Sequence, residues 1–249
     1  MPLDRDTEMG GASARFPHTH HSAIVSARSD QPAERERAWS SIVAGYWKPA
    51  YKYIRVEWNR SNEDAKDLTQ QFFAVAFEKN YFRSYDPAKG SFRNFLRTCL
   101  DAFVSKQNQA ASRLKRGGGA TIVPLDFEGA EGELQTLALP SGMTTEEFFY
   151  KEWVRHLFAG AVEQLRTECE ATGKQQHFQL LERYDLDQSA SSYDELAREF
   201  HIPVTSVTNH LAWARRRFRR IVLDAIREIS GSEEEFQKEA RQLLGGVQV

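Results

Sequence analysis

The sequence has few cysteines and no long apolar run. Its 249 residues include 2 cysteines, Cys99 and Cys169, which lie in helical patterns and show no metal-ligand spacing. A disulfide framework is therefore not expected, and both thiols are predicted to be reduced and buried. No apolar stretch approaches the roughly 20 residues that a bilayer span requires, and the N-terminal segment contains none of signal-peptide length. We therefore expect a cytoplasmic protein that does not enter the membrane.

Catalytic signatures are missing as well. Neither a pair of carboxylates, nor a nucleophile with its base, nor a metal-ligand cluster occurs at a spacing that a reaction would need. The HTHH segment at 18–21 has no partner acid or cysteine, which is typical of a disordered tail. The RGGG segment at 116–119 lacks the Lys-Ser/Thr of a phosphate-binding loop and is interpreted as a hinge. The sequence thus predicts no enzyme activity, no cofactor and no metal.

Charge of each sign is confined to blocks, although the net charge is only −2. Residues 91–119 include six basic side chains and a single acid, Asp101. Residues 120–150 include six acids and no lysine or arginine. Residues 201–220 then hold five arginines and no acid. Two basic segments with an acidic segment between them are typical of two nucleic-acid-facing modules whose connector avoids DNA.

Helical periodicity runs through the chain. It is clearest after the DPAKGSF turn, where apolar residues recur at offsets of 0, 3, 4, 7, 8 and 11: Phe92, Phe95, Leu96, Cys99, Leu100 and Phe103. We predict an all-α fold of two helical domains joined by an acidic flexible linker, the second domain containing a helix-turn-helix. The predicted parts are a flexible arm at 1–35, a first domain at 36–116, the linker at 117–145, a second domain at 146–230, and a C-terminal helix and tail at 231–249.

The helix-turn-helix prediction rests on residues 192–220. Ser192 offers an N-cap hydroxyl and Glu195 follows three residues later, so a short capped helix begins there. Pro203 disfavours helix at Ile202 and can open a second helix. That second helix has one apolar face: Val204, Val207, Leu211, Ala214 and Phe218. In such a motif, residues near the start of the second helix read bases and later arginines contact phosphates. An ordinary amphipathic helix pair with solvated arginines is the alternative.

Five segments follow one another in a fixed order: DAKDLTQQFF, DPAKGSFRNFLRTCLDAFV, KRGGG, the acidic connector and the helix-turn-helix. In this order the chain resembles the extracytoplasmic-function class of bacterial RNA polymerase sigma factors, over about residues 36–245. It is most similar to a subset with a long C-terminal half. The resemblance implies promoter-specific initiation of transcription at minus-thirty-five and minus-ten elements. The implied partners are promoter DNA and core RNA polymerase, through the clamp helices of the largest subunit and the flap of the second-largest subunit.

Three sets of residues match the functional surfaces of that family. The set implied to bind polymerase is Asp64, Asp67, Leu68, Gln70, Gln71 and Phe72. The set implied to melt the minus-ten element and to hold its non-template strand is Arg93, Arg97, Lys106, Asn108 and Arg113. The set implied to bind the minus-thirty-five element is Thr205, Ser206, Thr208, Asn209, Arg215, Arg216 and Arg219. Acids and amides suit an electrostatically steered protein dock, whereas basic side chains suit DNA phosphates.

Two questions stay open at the level of sequence. The alternative function is a stand-alone helix-turn-helix regulator, which binds DNA without polymerase. The means of control is also open: an anti-sigma factor, a protein kinase acting on Ser61 or Thr69, and a closed state of the free chain are all candidates. The C-terminal helix, predicted to start at Ser232, is expected to pack against the second domain or to bind a regulator.

Overall fold

The structure, a computed structural model, describes residues 22–111, 125–137, 142–187 and 191–245. Within these ranges every regular element is helical, which confirms the all-α class. The α-helices are α1 (Ala23–Ser26), α2 (Pro32–Glu57), α3 (Asn62–Glu78), α4 (Phe92–Ala111), α5 (Phe127–Gln135), α6 (Thr145–Ala171), α7 (Gln175–Leu181), α8 (Tyr193–Glu199), α9 (Val204–Glu228) and α10 (Glu233–Leu244). Short 3₁₀ turns lie at Tyr81–Ser84 and Pro87–Lys89, and a π-helical turn, Glu182–Leu186, follows α7.

Several helices begin at hydroxyl caps that the sequence places there. Ser61 Oγ accepts a hydrogen bond from the Asp64 amide at the start of α3, and Thr144 caps α6 in the same way. Ser192 and Glu195 form the predicted capping box at the start of α8. These bonds satisfy amides that the first helical turn leaves without a backbone partner, so each helix starts at a defined residue.

Helix α2 is the central element and contacts α1, α3, α5 and α6. A proline inside a helix removes one backbone hydrogen bond and disturbs the turn before it, so a break or kink is expected at Pro49. The helix is not broken there: α2 continues through Pro49 and buries it. In the preceding turn the Ala44 carbonyl lies 2.6 Å from Nε2 of His156 on α6. A carbonyl only accepts, so Nε2 of His156 carries the proton; burial lowers the pKa of this ring and keeps it neutral.

The two halves of the chain share one core. The ring of Tyr53 on α2 meets that of Phe149 on α6 edge to face, with centroids 5.5 Å apart. Beside them Lys52 Nζ lies 2.8 Å from a carboxylate oxygen of Glu152, and both side chains are almost fully buried. The predicted division into two separate domains is therefore not confirmed, because apolar faces from both halves bury each other across α2 and α6.

The acidic connector also differs from the prediction in its described part. Residues 125–137 contain α5 instead of a flexible linker, and Phe127 of this helix packs edge to face on Trp47 of α2 at 5.2 Å. Glu131 forms two hydrogen bonds with the Arg55 guanidinium, and Glu133 pairs with Lys48 and Lys52. Basic residues on one face of α2 explain why these acids hold the segment against the core.

The described end of the N-terminal arm is folded as well. Residues 22–35 form α1 and the start of α2, and Ile24 is fully buried in the core. The flexible arm predicted at 1–35 is therefore wrong for its last part, because an apolar side chain anchors that part to α2. The HTHH and RGGG segments lie outside the described residues.

Candidate nucleic-acid interface

Helices α8 and α9 meet at the tight turn that the sequence predicted. His201 adopts a left-handed backbone conformation, with φ of 53°, and the Ile202 amide donates to the Ala197 carbonyl at 3.0 Å. Pro203, in an extended conformation, precedes the first residue of α9. Leu196 of α8 and Val207 and Leu211 of α9 are fully buried. The turn and this apolar contact fix the direction in which α9 leaves the core.

The start of α9 presents a polar surface, which we call the α9 surface and define as Thr205, Ser206, Thr208 and Asn209. Three of these side chains are exposed and Ser206 is half-buried. The Thr208 hydroxyl donates to the Val204 carbonyl at 3.2 Å, which leaves its oxygen able to accept from a ligand. Hydroxyl and amide groups of this kind can read base edges when the start of the helix enters a major groove.

The arginines of α9 fall into two groups. Arg215 forms two hydrogen bonds with Asp185, at 2.8 and 2.7 Å, and Arg217 forms two with Glu168. The Asp185 carboxylate raises the pKa of Arg215. Arg216 and Arg220 are exposed, and no side chain in the described ranges forms an ion pair with either of them. Within the arginine cluster at 215–220, Arg216 and Arg220 are therefore the side chains most available to an external phosphate.

Arg219 is half-buried, and its guanidinium donates to the Leu244 carbonyl, at the end of α10, at 3.3 Å. The sequence assigns both Arg215 and Arg219 to DNA, whereas the structure gives each an intramolecular partner. The acid and the carbonyl involved lie 25 or more positions away in sequence, so the periodicity of α9 alone could not reveal them.

A ring cluster that sequence analysis missed supports the buried side of α9. The imidazoles of His177 on α7 and His210 on α9 stack with centroids 3.9 Å apart. Trp213 meets His177 edge to face, and the Lys174 ammonium lies 4.2 Å from the centroid of Trp213. Burial, followed by the neighbouring His210 and Lys174 charges, lowers the pKa of His177. The cluster joins α7 to α9 and so helps to orient the α9 surface.

The basic residues assigned to α4 are largely engaged within the molecule. Arg93 forms an ion pair with Glu239 of α10 at 2.8 Å, and its guanidinium lies 4.4 and 4.8 Å from the ring centroids of Tyr150 and Trp153. Arg97 pairs with Asp101 at 3.2 Å. Lys106 is exposed, Asn108 accepts a hydrogen bond from Arg60, and Arg113 lies outside the described residues.

Helix α3 carries an exposed acidic and amide surface, which we call the α3 surface and define as Asp64, Asp67 and Gln70. Leu68 and Gln71 are half-buried at its edge. Phe72 was predicted to belong to the same surface, but it is fully buried and packs edge to face on Phe73 and Phe103. The assignment of Phe72 is corrected accordingly: this ring belongs to the core that positions the α3 surface.

The hydroxyls near the α3 surface differ in accessibility. Thr69 is fully buried, and its hydroxyl donates to the Ala65 carbonyl at 2.7 Å. Ser61 is exposed and serves as the N-cap of α3. Of the two hydroxyls considered for phosphorylation, only Ser61 is open to a kinase in this arrangement.

Both cysteines are free thiols, and the predicted burial is confirmed for Cys169 but not fully for Cys99. Cys169 is buried and Cys99 is half-buried, and burial raises the pKa of Cys99 to about 11. Burial also raises the pKa of Cys169, so neither thiol has the thiolate character that reactivity requires.

Comparisons of the chain with protein-family models, with curated proteins and with solved structures found no significant match. Among the helices that the structure describes, none is both long enough and apolar enough to span a membrane.

Proposed function

We propose that the chain is an RNA polymerase sigma factor of the extracytoplasmic-function type, acting in the cytoplasm by binding rather than by catalysis. The observation that carries the proposal is the geometry of α9. Its start is polar and exposed while its opposite face is buried, and a tight turn joins it to a short capped helix. These features support a helix-turn-helix whose second helix enters the major groove of the minus-thirty-five element.

The proposed contacts to that element divide by chemistry. Thr205, Thr208 and Asn209 would read base edges, and Arg216 and Arg220 would bind the flanking phosphates. The resemblance does not assign Arg220 to DNA; its exposure and lack of an ion-pair partner in the described ranges support adding it. Arg215 would instead hold the helix to Asp185.

The proposed minus-ten surface is on α4. Arg93, Arg97, Lys106 and Asn108 lie on one helix, which packs on α3 through Phe103 and Phe72. The α3 surface, with its exposed acids, would dock on the clamp helices of the largest polymerase subunit. In this proposal the same pair of helices binds polymerase on one side and opened promoter DNA on the other.

The proposal is tested by measuring two affinities separately. The full chain is titrated with bacterial core RNA polymerase and, in a second experiment, with mixed-sequence duplex DNA without polymerase. A sigma factor binds polymerase tightly and duplex weakly. A stand-alone regulator, the alternative, binds duplex by itself and leaves polymerase unbound, and that result would contradict the proposal.

A further inference from the structure

Helix α10 lies against the proposed minus-ten surface on α4 and against α9, the helix that carries the proposed minus-thirty-five surface. Its Glu239 forms the ion pair with Arg93 of α4, and its last carbonyl, that of Leu244, accepts from Arg219 of α9. Residues 233–244 therefore engage one arginine of α4 and one of α9.

The α4 end of this contact has the composition of an anion-binding site. The Phe92 amide, at the first residue of α4, donates to Glu235 at 2.7 Å. The Arg93 guanidinium, which follows it, donates to Glu239 at 2.8 Å. A helix N-terminus and an adjacent arginine are the groups that proteins use to bind phosphate oxygens. Here two carboxylates of one helix, Glu235 and Glu239, occupy them.

Further hydrogen bonds hold Glu235 at this site. Glu235 also accepts from the Tyr85 hydroxyl and the Gly231 amide, both at 2.8 Å. Glu235 and Glu239 are one turn apart, so both face α4 together, while Phe236 and Ala240 of the same helix are buried. The sequence predicts a full capping box between Ser232 and Glu235. Ser232 does cap the Glu235 amide, but the Glu235 side chain bonds the Gly231 amide and α4 instead.

The Glu239 contact is incompletely satisfied. Its side chain is 5% exposed, and Oε2 has no hydrogen-bond partner in the described part of the chain. A buried carboxylate with an unpaired oxygen stabilises a contact less than a fully paired one, because the desolvation cost is not fully offset. A ligand that offers Arg93 more oxygen acceptors can therefore compete with Glu239.

We propose that α10 is an intramolecular inhibitor that occupies the phosphate site at Phe92 and Arg93, and that DNA binding displaces it. The proposal rests on the proposed function, and it names how access to the DNA surfaces is controlled. Displacement of this one helix frees Arg93 and Arg219 together, so the minus-ten surface becomes available and α9 gains a further free arginine beside its already exposed start.

The test uses the full chain and two matched variants. Glu239→Gln keeps an oxygen acceptor for Arg93 and removes the charge, so the fold is retained. Glu234→Gln makes the same charge change on the exposed face of α10 and is the control. Fluorescein-labelled mixed-sequence DNA, as a duplex and as a fork with one strand exposed, is titrated with each protein at several salt concentrations.

Glu239→Gln is expected to bind fork DNA at least about threefold more tightly than the wild type, because a larger fraction of the chain is open. Its plot of log affinity against log salt is expected to be steeper by about 0.7 to 0.9 for each additional phosphate that the protein binds. Glu234→Gln should match the wild type in both respects. Equal affinities and slopes for the two variants would overturn the proposal.

A second variant leaves the net charge unchanged. Tyr85→Phe keeps the buried ring and removes the hydroxyl that contacts both Glu235 and the Gly90 carbonyl, so it loosens α10 from the turn that precedes α4. Its affinity for fork DNA should rise in the same direction, and hydrogen exchange at 233–244 should become faster when fork DNA is added to the wild type. Unchanged exchange in α10 at saturating DNA would contradict displacement.

The outcomes separate the two proposals. If all proteins bind DNA equally and α10 stays protected, the inhibitor proposal fails and the proposed function stands. If no protein binds DNA in either form, with or without core polymerase, the proposed function fails and the inhibitor proposal fails with it.

Discussion

Among the arginines clustered at 215–220 of α9, Arg216 and Arg220 are the two that are exposed without an ion-pair partner within the described structure. The double variant Arg216→Ala, Arg220→Ala is expected to weaken DNA binding at all sequences alike. It should also reduce the salt slope by about 0.9 for each phosphate that the variant no longer binds, because fewer counterions are released. Affinity measured over a range of salt concentrations checks this.

The matched control for that variant is Arg217→Ala. Arg217 lies on the same helix and pairs with Glu168, so its removal should lower stability and leave the salt slope unchanged. A changed sequence preference in the Arg216, Arg220 variant, with an unaltered slope, would show that these side chains read bases and do not bind phosphates.

Glu131 supplies a pH-dependent part of the stability. Hydrogen bonds from Arg55, and then from Tyr51, lower the pKa of this carboxyl to about 2 from 4.5. Since the folded pKa lies below the unfolded one, the stabilisation is complete above about pH 4.5 and is lost as the pH falls to about 2. Glu131→Gln should therefore cost most at neutral pH and progressively less in acid.

Urea unfolding at about pH 6, 4 and 2.5 measures this difference. Glu128→Gln, an exposed substitution on the same helix, is the control and should change stability little at any of these pH values. A difference between wild type and Glu131→Gln that stays constant across the range would rule out this carboxylate as the source.

Among the helices, α3 carries the most specific prediction, which concerns binding to core polymerase. Asp67→Lys is expected to abolish binding to core polymerase and to leave thermal stability nearly unchanged, because an exposed substitution disturbs no packing. Glu78→Lys makes the same charge change at the far, exposed end of α3 and should bind normally. Co-elution with core polymerase measures both, and capture of Asp67→Lys at wild-type strength would exclude the α3 surface as the dock.

A helix or turn could be predicted from the sequence where the residues that determine it are its own sequence neighbours. The starts of α3, α8 and α10 follow from serine caps, and the turn before α9 follows from Pro203. These helix starts and this turn were therefore predictable from the sequence. The folding of the acidic connector as α5 was not, because it depends on Lys48, Lys52 and Arg55, which lie about 80 positions away.

In the candidate sites, too, features that depend on sequence neighbours could be predicted, whereas contacts with distant parts of the chain could not. The exposed start of α9 was predictable from its apolar periodicity. The partners of Arg93, Arg215 and Arg219 were not, because they come from other helices and turns. Phe72 was assigned to the polymerase-binding surface through the resemblance, whereas the structure buries it together with the adjacent Phe73.

For the whole molecule, the shared core predicts that both halves unfold together. Lys52→Ala leaves the buried Glu152 with the half-exposed Arg155 as its remaining ion-pair partner, which should cost about 3 kcal/mol. Lys48→Ala removes a pair with the half-exposed Glu133 and should cost about 1 kcal/mol or less. Urea unfolding followed by circular dichroism and by tryptophan fluorescence should show one shifted transition in each case. Two transitions, only one of which moves, would show that the halves fold independently.

The central claim is that the chain directs polymerase to promoters, and selection of DNA followed by transcription tests it most directly. Random-sequence duplexes are selected for binding to core RNA polymerase that carries this chain, and the selected templates are then transcribed. The account predicts two short motifs at a fixed spacing, a defined start downstream of them, and no transcripts when Asp67→Lys replaces the wild type. A single motif selected equally well without polymerase, with no transcripts from the selected templates, would contradict it.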